Sequence, residues 1–197
     1  MTERQRVRLE RTYRADIQDV WDLWTTKEGI ESWWGPGGFA VTVRKLDLRP
    51  GGQLLYDMTA IDPPQVAFMK KAGMPLTHEA RITFTEIVPR RRLAYVHLAD
   101  FIPGIDPYDV ATVVELDMTR DGVRMVLTFD AMHNDEWTRR ATMGWESELG
   151  KLATVLDRLT SRQSCDPIHH LNSAAAASAP SPPVSSSPRC SRWAPMP

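Results

Sequence analysis

The sequence predicts an α+β domain over residues 1–160, with six to seven antiparallel strands, two short helices after the first strand and one long C-terminal helix. Three observations carry this reading. Apolar and polar residues alternate in a series of short segments divided by Gly, Pro and Asp, which is the period of half-buried strands. One late segment, 134–159, repeats its apolar residues every three or four positions instead, the period of an amphipathic helix. Beyond residue 160 the composition changes, with nine Ser, seven Pro and six Ala among the 37 residues of 161–197. So little apolar surface does not offset the entropy of ordering, and 161–197 reads as a disordered tail.

The elements follow in order. Val7 and Leu9 alternate with Arg6, Arg8 and Glu10, a first strand. Asp16 stands where a helix N-cap belongs, and Ile17, Val20, Trp21 and Trp24 follow on one face. Residues 27–33 form a second short helix with Ile30 and Trp33 or Trp34 inward, ended by Gly35-Pro36-Gly37-Gly38. In the strand at 39–48, Phe39, Val41 and Val43 share one parity while Leu46 and Leu48 have the other. A bulge near Arg44 or Lys45 reconciles them and bends the sheet. Arg49-Pro50-Gly51-Gly52 turns the chain into a hairpin partner with Leu54, Tyr56 and Met58 in phase. Residues 61–77, with Pro63, Pro64, Gly73 and Pro75, read as a long loop whose centre, Val66-Ala67-Phe68-Met69, packs down as a lid. Four strands follow at 78–87, 92–98, 108–118 and 122–131.

The last helix places Trp137, Ala141, Trp145, Leu149, Leu152, Leu156 and Leu159 on one inner face. At about 1.5 Å per residue it is long enough to cross a whole sheet. Strands joined by turns pair antiparallel, and their apolar face must be buried against that helix. If the sheet curls, the helix leaves part of the concave volume unfilled, and a pocket results.

Composition excludes several function classes. The 24 Lys and Arg nearly balance the 25 Asp and Glu, for a net charge of −1, unlike the basic footprint of a nucleic-acid binder. The Arg90-Arg91-Arg92 triplet after Pro89 reads as a solvated hairpin end. No run reaches the roughly 20 apolar residues of a membrane span, and the charged first residues do not lead into a signal-peptide core. Cys165 and Cys190 both lie late in the chain, so no disulfide framework is expected and a reducing cytoplasm is the expected location. Gly37-Gly38 lacks the lysine and the preceding buried strand of a phosphate loop. His133, Asp135 and Glu136 are explained by the start of the long helix, with Asn134 as its cap and the acids at its positive end. No metal or cofactor is expected.

Four motifs in this order resemble a known family. They are Arg14-Ala15-Asp16 running into Val20-Trp21, then Trp33-Trp34-Gly35-Pro36, then Asp47-Leu48-Arg49-Pro50-Gly51-Gly52, then Gly144-Trp145 followed by Leu149 and Leu152. Over about residues 5–160 the chain resembles the Hsp90-ATPase-activator-homologue (AHSA1-like) family of the START-like, or Bet v 1-like, SRPBCC superfamily. The resemblance implies a helix-grip fold and a pocket for an apolar or amphipathic small molecule. It does not imply one chemistry, because the superfamily spans lipid carriers, polyketide aromatase/cyclases and hormone receptors.

Candidate ligand-binding residues are Trp34, Tyr56, Met58, Phe84, Tyr95, His97, Met125, Leu127, Phe129 and Trp145. Small-molecule pockets are mostly apolar with a few placed polar groups, and Tyr56, Tyr95 and His97 are those groups here. The inward parity of 93–98 stays open, because Ala94, Val96 and Leu98 are apolar too. His97 titrates near neutrality when unperturbed, but no Ser, Cys or Asp spacing marks a triad, so no catalytic residue is assigned. The expected function is binding or carriage of a hydrophobic or amphipathic small molecule, rather than catalysis. The alternative is a small-molecule enzyme of the polyketide cyclase/dehydratase kind, with His97 or Tyr95 as acid or base. A chaperone-associated, Hsp90 co-chaperone-like role ranks third, because the extra N-terminal domain of the eukaryotic co-chaperones has no counterpart here. Whether the chain forms a homodimer is left open.

Overall fold

The computed structural model describes residues 5–102 and 104–164. β1 (Arg6–Tyr13) leads through the Asp16 cap into α1 (Ile17–Thr25), and α2 (Lys27–Trp33) follows directly. Asp16 accepts from the Gln18 N–H at 2.7 Å, and Thr26 caps α2 by accepting from the Gly29 N–H at 3.0 Å, each satisfying a free donor of the first turn. β2 (Phe39–Leu46) and β3 (Gln53–Ala60) form the first hairpin. After α3 (Pro63–Lys71) come β4 (Thr77–Val88), β5 (Arg92–Ala99), β6 (Tyr108–Thr119), β7 (Gly122–Asp130) and α4 (Asp135–Ser164). Among the described residues the strands make one antiparallel sheet of seven, ordered β1-β7-β6-β5-β4-β3-β2. This is the expected α+β helix-grip architecture.

The register of β2 against β3 slips between Val43 and Lys45, where the change of parity predicts a bulge. The Val43 N–H at that slip donates to the Glu31 carboxylate of α2 at 2.7 Å. A second slip, between Phe84 and Glu86, bends β4 as well.

Residues 61–77 are not loop throughout, and α3 corrects that expectation. Pro63 and Pro64 occupy its first turn, where a missing N–H breaks no helical bond. Lys70 and Lys71 close its last turn, beside the negative end of the helix. Of the apolar quartet only Met69 is buried, and Phe68 is 61 % exposed, so the quartet does not pack down as a lid.

The core lies between one sheet face and α1, α2 and α4. Trp24, Ile30 and Trp33 are at most 1 % exposed, and Trp24 meets Trp33 edge-on at 4.7 Å. The Trp33 indole donates to the Leu23 carbonyl at 2.8 Å, which pays for burying its N–H. Leu149, Leu152 and Leu156 of α4 are at most 2 % exposed. The other sheet face carries cross-strand ion pairs such as Arg124–Glu10 and Arg92–Glu115, each at 2.6 Å.

α4 runs to Ser164, past the expected boundary at residue 160. The rest of the segment read as a tail lies outside the described residues. No helix among the described residues is long and apolar enough to cross a membrane.

Candidate ligand cavity

A cavity of about 190 Å³ lies between the sheet and the N-terminal half of α4. The sheet register explains its floor. Directly paired residues point to the same face, so Phe129, Thr112 and Tyr95 form one transverse row, and Val110, His97 and Ile82 form the next. Tyr56 and Met58 of β3 flank these rows, and Trp34 closes the side next to α2. Ala141, Gly144, Trp145 and Glu148 of α4 form the roof. The C-terminal half of the helix packs tightly through its leucines, while Ala141 and Gly144 are small and leave a gap. A Cβ placed on Gly144 meets no atom within 4 Å.

The structure answers the parity question on β5. Leu93, Tyr95 and Ala99 are buried on the helix-facing side, and His97 shares it. Of the ten candidate residues, Trp34, Tyr56, Met58, Tyr95, His97, Phe129 and Trp145 line the cavity. Phe84, Met125 and Leu127 do not, although each is at most 2 % exposed. Leu127 and Met125 sit one and two rows beyond Phe129, under the closely packed part of α4, and Phe84 continues the Tyr95 row away from the gap. They are core residues. Trp137 departs from the expected inner face as well. It lies near Phe101 and His133, at 6.0 Å between ring centroids in each case, with Arg140 over its ring at 5.0 Å.

Aromatic rings surround the space. Trp34 lies 6.1 Å from Tyr56, 6.2 Å from Tyr95 and 6.0 Å from Trp145, centroid to centroid, and Trp145 lies 6.5 Å from Phe129. The polar groups are less settled. The His97 Nε2 is buried with no hydrogen-bond partner among the described residues, and the buried Tyr95 hydroxyl has only its row neighbour Thr112 as a hydrogen-bonding neighbour. Burial pushes His97 down to about 4, so its ring is neutral at physiological pH, and burial raises the Tyr95 phenol well above its ordinary range. The Trp24 indole N–H and Tyr13 hydroxyl are also unpartnered, but neither lines the cavity.

Glu148 is the functional candidate that sequence reasoning missed. It is 9 % exposed, and desolvation pushes its carboxyl up to about 8 against a smaller opposing effect of Lys151. A signal was present. Glu148 lies three residues after Trp145 and four before Leu152, on the same stripe of the helix. Lys151 does not pair with it within ion-pair distance. Its ammonium donates instead to the carbonyls of Trp34 at 3.3 Å and Gly35 at 2.9 Å. Ser147 accepts from the Gly37 N–H at 3.1 Å, so two α4 side chains fasten the Trp34–Gly38 turn. Gly35 holds that turn at φ +86°, a conformation that costs glycine little.

A larger, more open groove of about 900 Å³ runs past Gln5, Tyr108, His133, Arg139 and Met143. Several of its polar groups already have partners: the Tyr108 hydroxyl meets His133 Nδ1 at 3.1 Å, and Thr138 accepts from the Met132 N–H at 3.0 Å. The smaller cavity is the one with unsatisfied chemistry.

The family model described as Activator of Hsp90 ATPase homolog 1-like protein matches residues 14–157. The chain belongs to the AHSA1 family. Similar solved structures share the AHSA1 fold over nearly their whole length. A Chromobacterium violaceum protein is 22 % identical with TM-score 0.64, covering 77 % of this chain and 96 % of that one. The AHSA1-like protein from Aeromonas hydrophila is 20 % identical with TM-score 0.59, covering 84 % and 99 %. The AHSA1 protein from Silicibacter pomeroyi is 20 % identical with TM-score 0.59, covering 78 % and 98 %. At these identities the likeness concerns the AHSA1 fold alone. No curated protein sequence matches the chain.

Proposed function

We propose that this AHSA1-family protein binds a small, largely apolar molecule in the cavity beneath the N-terminal half of α4. The observation that carries the reading is the buried His97 Nε2, which has no partner among the described residues, beside the Tyr95 hydroxyl, whose hydrogen-bonding neighbour is Thr112, in a mostly apolar and aromatic space. Leaving such a group unmet costs about 1–3 kcal/mol, and a ligand offering a hydrogen bond there recovers that cost. The volume suits a compact molecule: an engineered apolar cavity of roughly 150 Å³ takes up benzene. Native mass spectrometry of the freshly purified protein tests the proposal, with a retained small molecule as the expected result. A bare protein mass, together with an experimental structure in which side chains fill the cavity, would remove its basis.

A second reading, small-molecule catalysis, gains support from Glu148. A carboxyl pushed up to about 8 is suited to move protons near neutral pH, with Tyr95 and His97 beside the same space. A chaperone role rests on the family name alone, and an effect on Hsp90 ATPase turnover is its test.

A further inference from the structure

We infer that the cavity selects a small organic ammonium, a primary amine on a single ring or short branched chain, over neutral and anionic molecules of the same shape. The inference rests on the ligand-binding reading and names the ligand's charge.

Charge is the first argument. Glu148 is the one carboxylate among the lining residues, and no Lys or Arg lines the cavity. The nearest ammonium, Lys151 Nζ, is held by two backbone carbonyls. An anionic ligand therefore meets an acid and no cation, and a hydrocarbon leaves the carboxyl and His97 unmet. Among the described residues the Glu148 carboxylate has no hydrogen bond and no ion pair within 4 Å, although the residue is 9 % exposed. A buried carboxyl without a partner keeps its proton, and a bound cation is the partner that lets it ionise.

The count of hydrogen bonds is the second. A primary ammonium brings three N–H donors. The lining offers acceptors for them: the Glu148 carboxyl, the hydroxyl oxygens of Tyr56, Tyr95 and Thr112, and His97 Nε2 in the tautomer protonated at Nδ1. Because His97 stays neutral down to about pH 4, its lone pair is available throughout the physiological range.

The walls are the third. Trp34, Tyr56, Tyr95, Phe129 and Trp145 present rings around the cavity, and ring faces attract cations. Lipid-chain ligands are too large for about 190 Å³, whereas one ring with a short aminoalkyl arm is of the right size.

Proton balance follows. Glu148 is largely protonated at pH 7 in the free protein. When an ammonium enters, the carboxyl gives up its proton to the buffer and becomes the counter-ion, so binding releases up to one proton. No covalent bond forms or breaks in the ligand.

Isothermal titration of the full chain with benzylamine, benzyl alcohol and benzoate at pH 7, in two buffers of different ionisation enthalpy, tests this. Benzylamine is expected to bind at least tenfold more tightly than benzyl alcohol, with proton release, and benzoate not at all. Glu148→Gln is expected to lower benzylamine affinity at least tenfold and to abolish the accompanying proton release. The wild-type comparison needs no variant, so poor folding of Glu148→Gln does not blunt the test. Alcohol binding as tight as amine, benzoate binding, or no benzylamine binding at millimolar concentration overturns the inference. The wider ligand-binding reading is judged separately by the molecule retained in native mass spectrometry; a neutral or anionic one keeps that reading and ends this inference.

Discussion

Lys151 Nζ lies 2.9 Å from the carbonyl oxygen of Gly35, so the ammonium one turn along α4 from Glu148 serves the backbone and leaves the carboxyl alone. This relationship separates two jobs. Lys151 clamps the Trp34–Gly38 turn to the helix, and Glu148 stays unpaired at the cavity. Lys151→Met is expected to cost about 1–2 kcal/mol, below the roughly 1.5–3 kcal/mol of hydrogen bonds to a charged group because the side chain is only half-buried. Urea denaturation measures it. The variant is also expected to push the Glu148 carboxyl higher still, since Lys151 is what favours its ionised form.

Stability should fall between about pH 6.5 and 8. The folded chain keeps the Glu148 proton up to about 8, while the unfolded chain loses it near 4.5. Folding therefore takes up a proton in that interval, and stability declines with rising pH by at most about 1.4 kcal/mol per unit. His97 acts in the opposite sense. Its folded value is about 4 against an ordinary 6.5, so it contributes rising stability between those values and offsets Glu148 there. Above 6.5 only Glu148 remains. The other titratable groups facing it are Tyr56, Tyr95 and Lys151, and both tyrosines stay neutral in this interval. Thermal melts across pH should show a decline in the wild type and a flat profile in Glu148→Gln.

Gly144→Leu fills the cavity from above. No atom lies within 4 Å of the new Cβ, and replacing glycine inside a helix gains about 1 kcal/mol from propensity alone. The thermal midpoint should hold or rise while small-molecule retention is lost. A variant that still retains ligand would place the binding site elsewhere.

A chain ending at Ser164 should melt at the same temperature as the full chain. The proposed boundary follows from composition: 161–197 are poor in core-forming residues, and the described part of α4 reaches Ser164. A drop of several degrees would show that later residues contribute to the domain.

Much of the fold was legible because alternation and helical spacing are written directly in the residue order. Even the β2 bulge showed itself as a change of parity between Val43 and Leu46. α3 was hidden for a physical reason. Prolines signal loops in most contexts, yet at the first turn of a helix they are well placed, and four apolar residues in a row have no period to read. The candidate site was legible by face but not by position along the face. Phe129 and Leu127 are equivalent in pattern, and only the tapering of the α4 side chains, from Leu152 to Gly144, decides which one meets empty space. Glu148 was passed over because a carboxylate is expected in water, although its helical phase placed it inward.

The hydrogen bond from the Val43 N–H to Glu31 bears on how copies of this chain behave toward one another. β2 is a terminal strand of the sheet, and an open edge invites strand addition and aggregation. At the bulge the free donor is already occupied, the ladder is out of step, and Arg44 and Lys45 stand exposed beside it. An incoming strand finds no continuous run of partners, so this edge discourages end-to-end assembly of sheets and leaves any specific self-association to other surfaces.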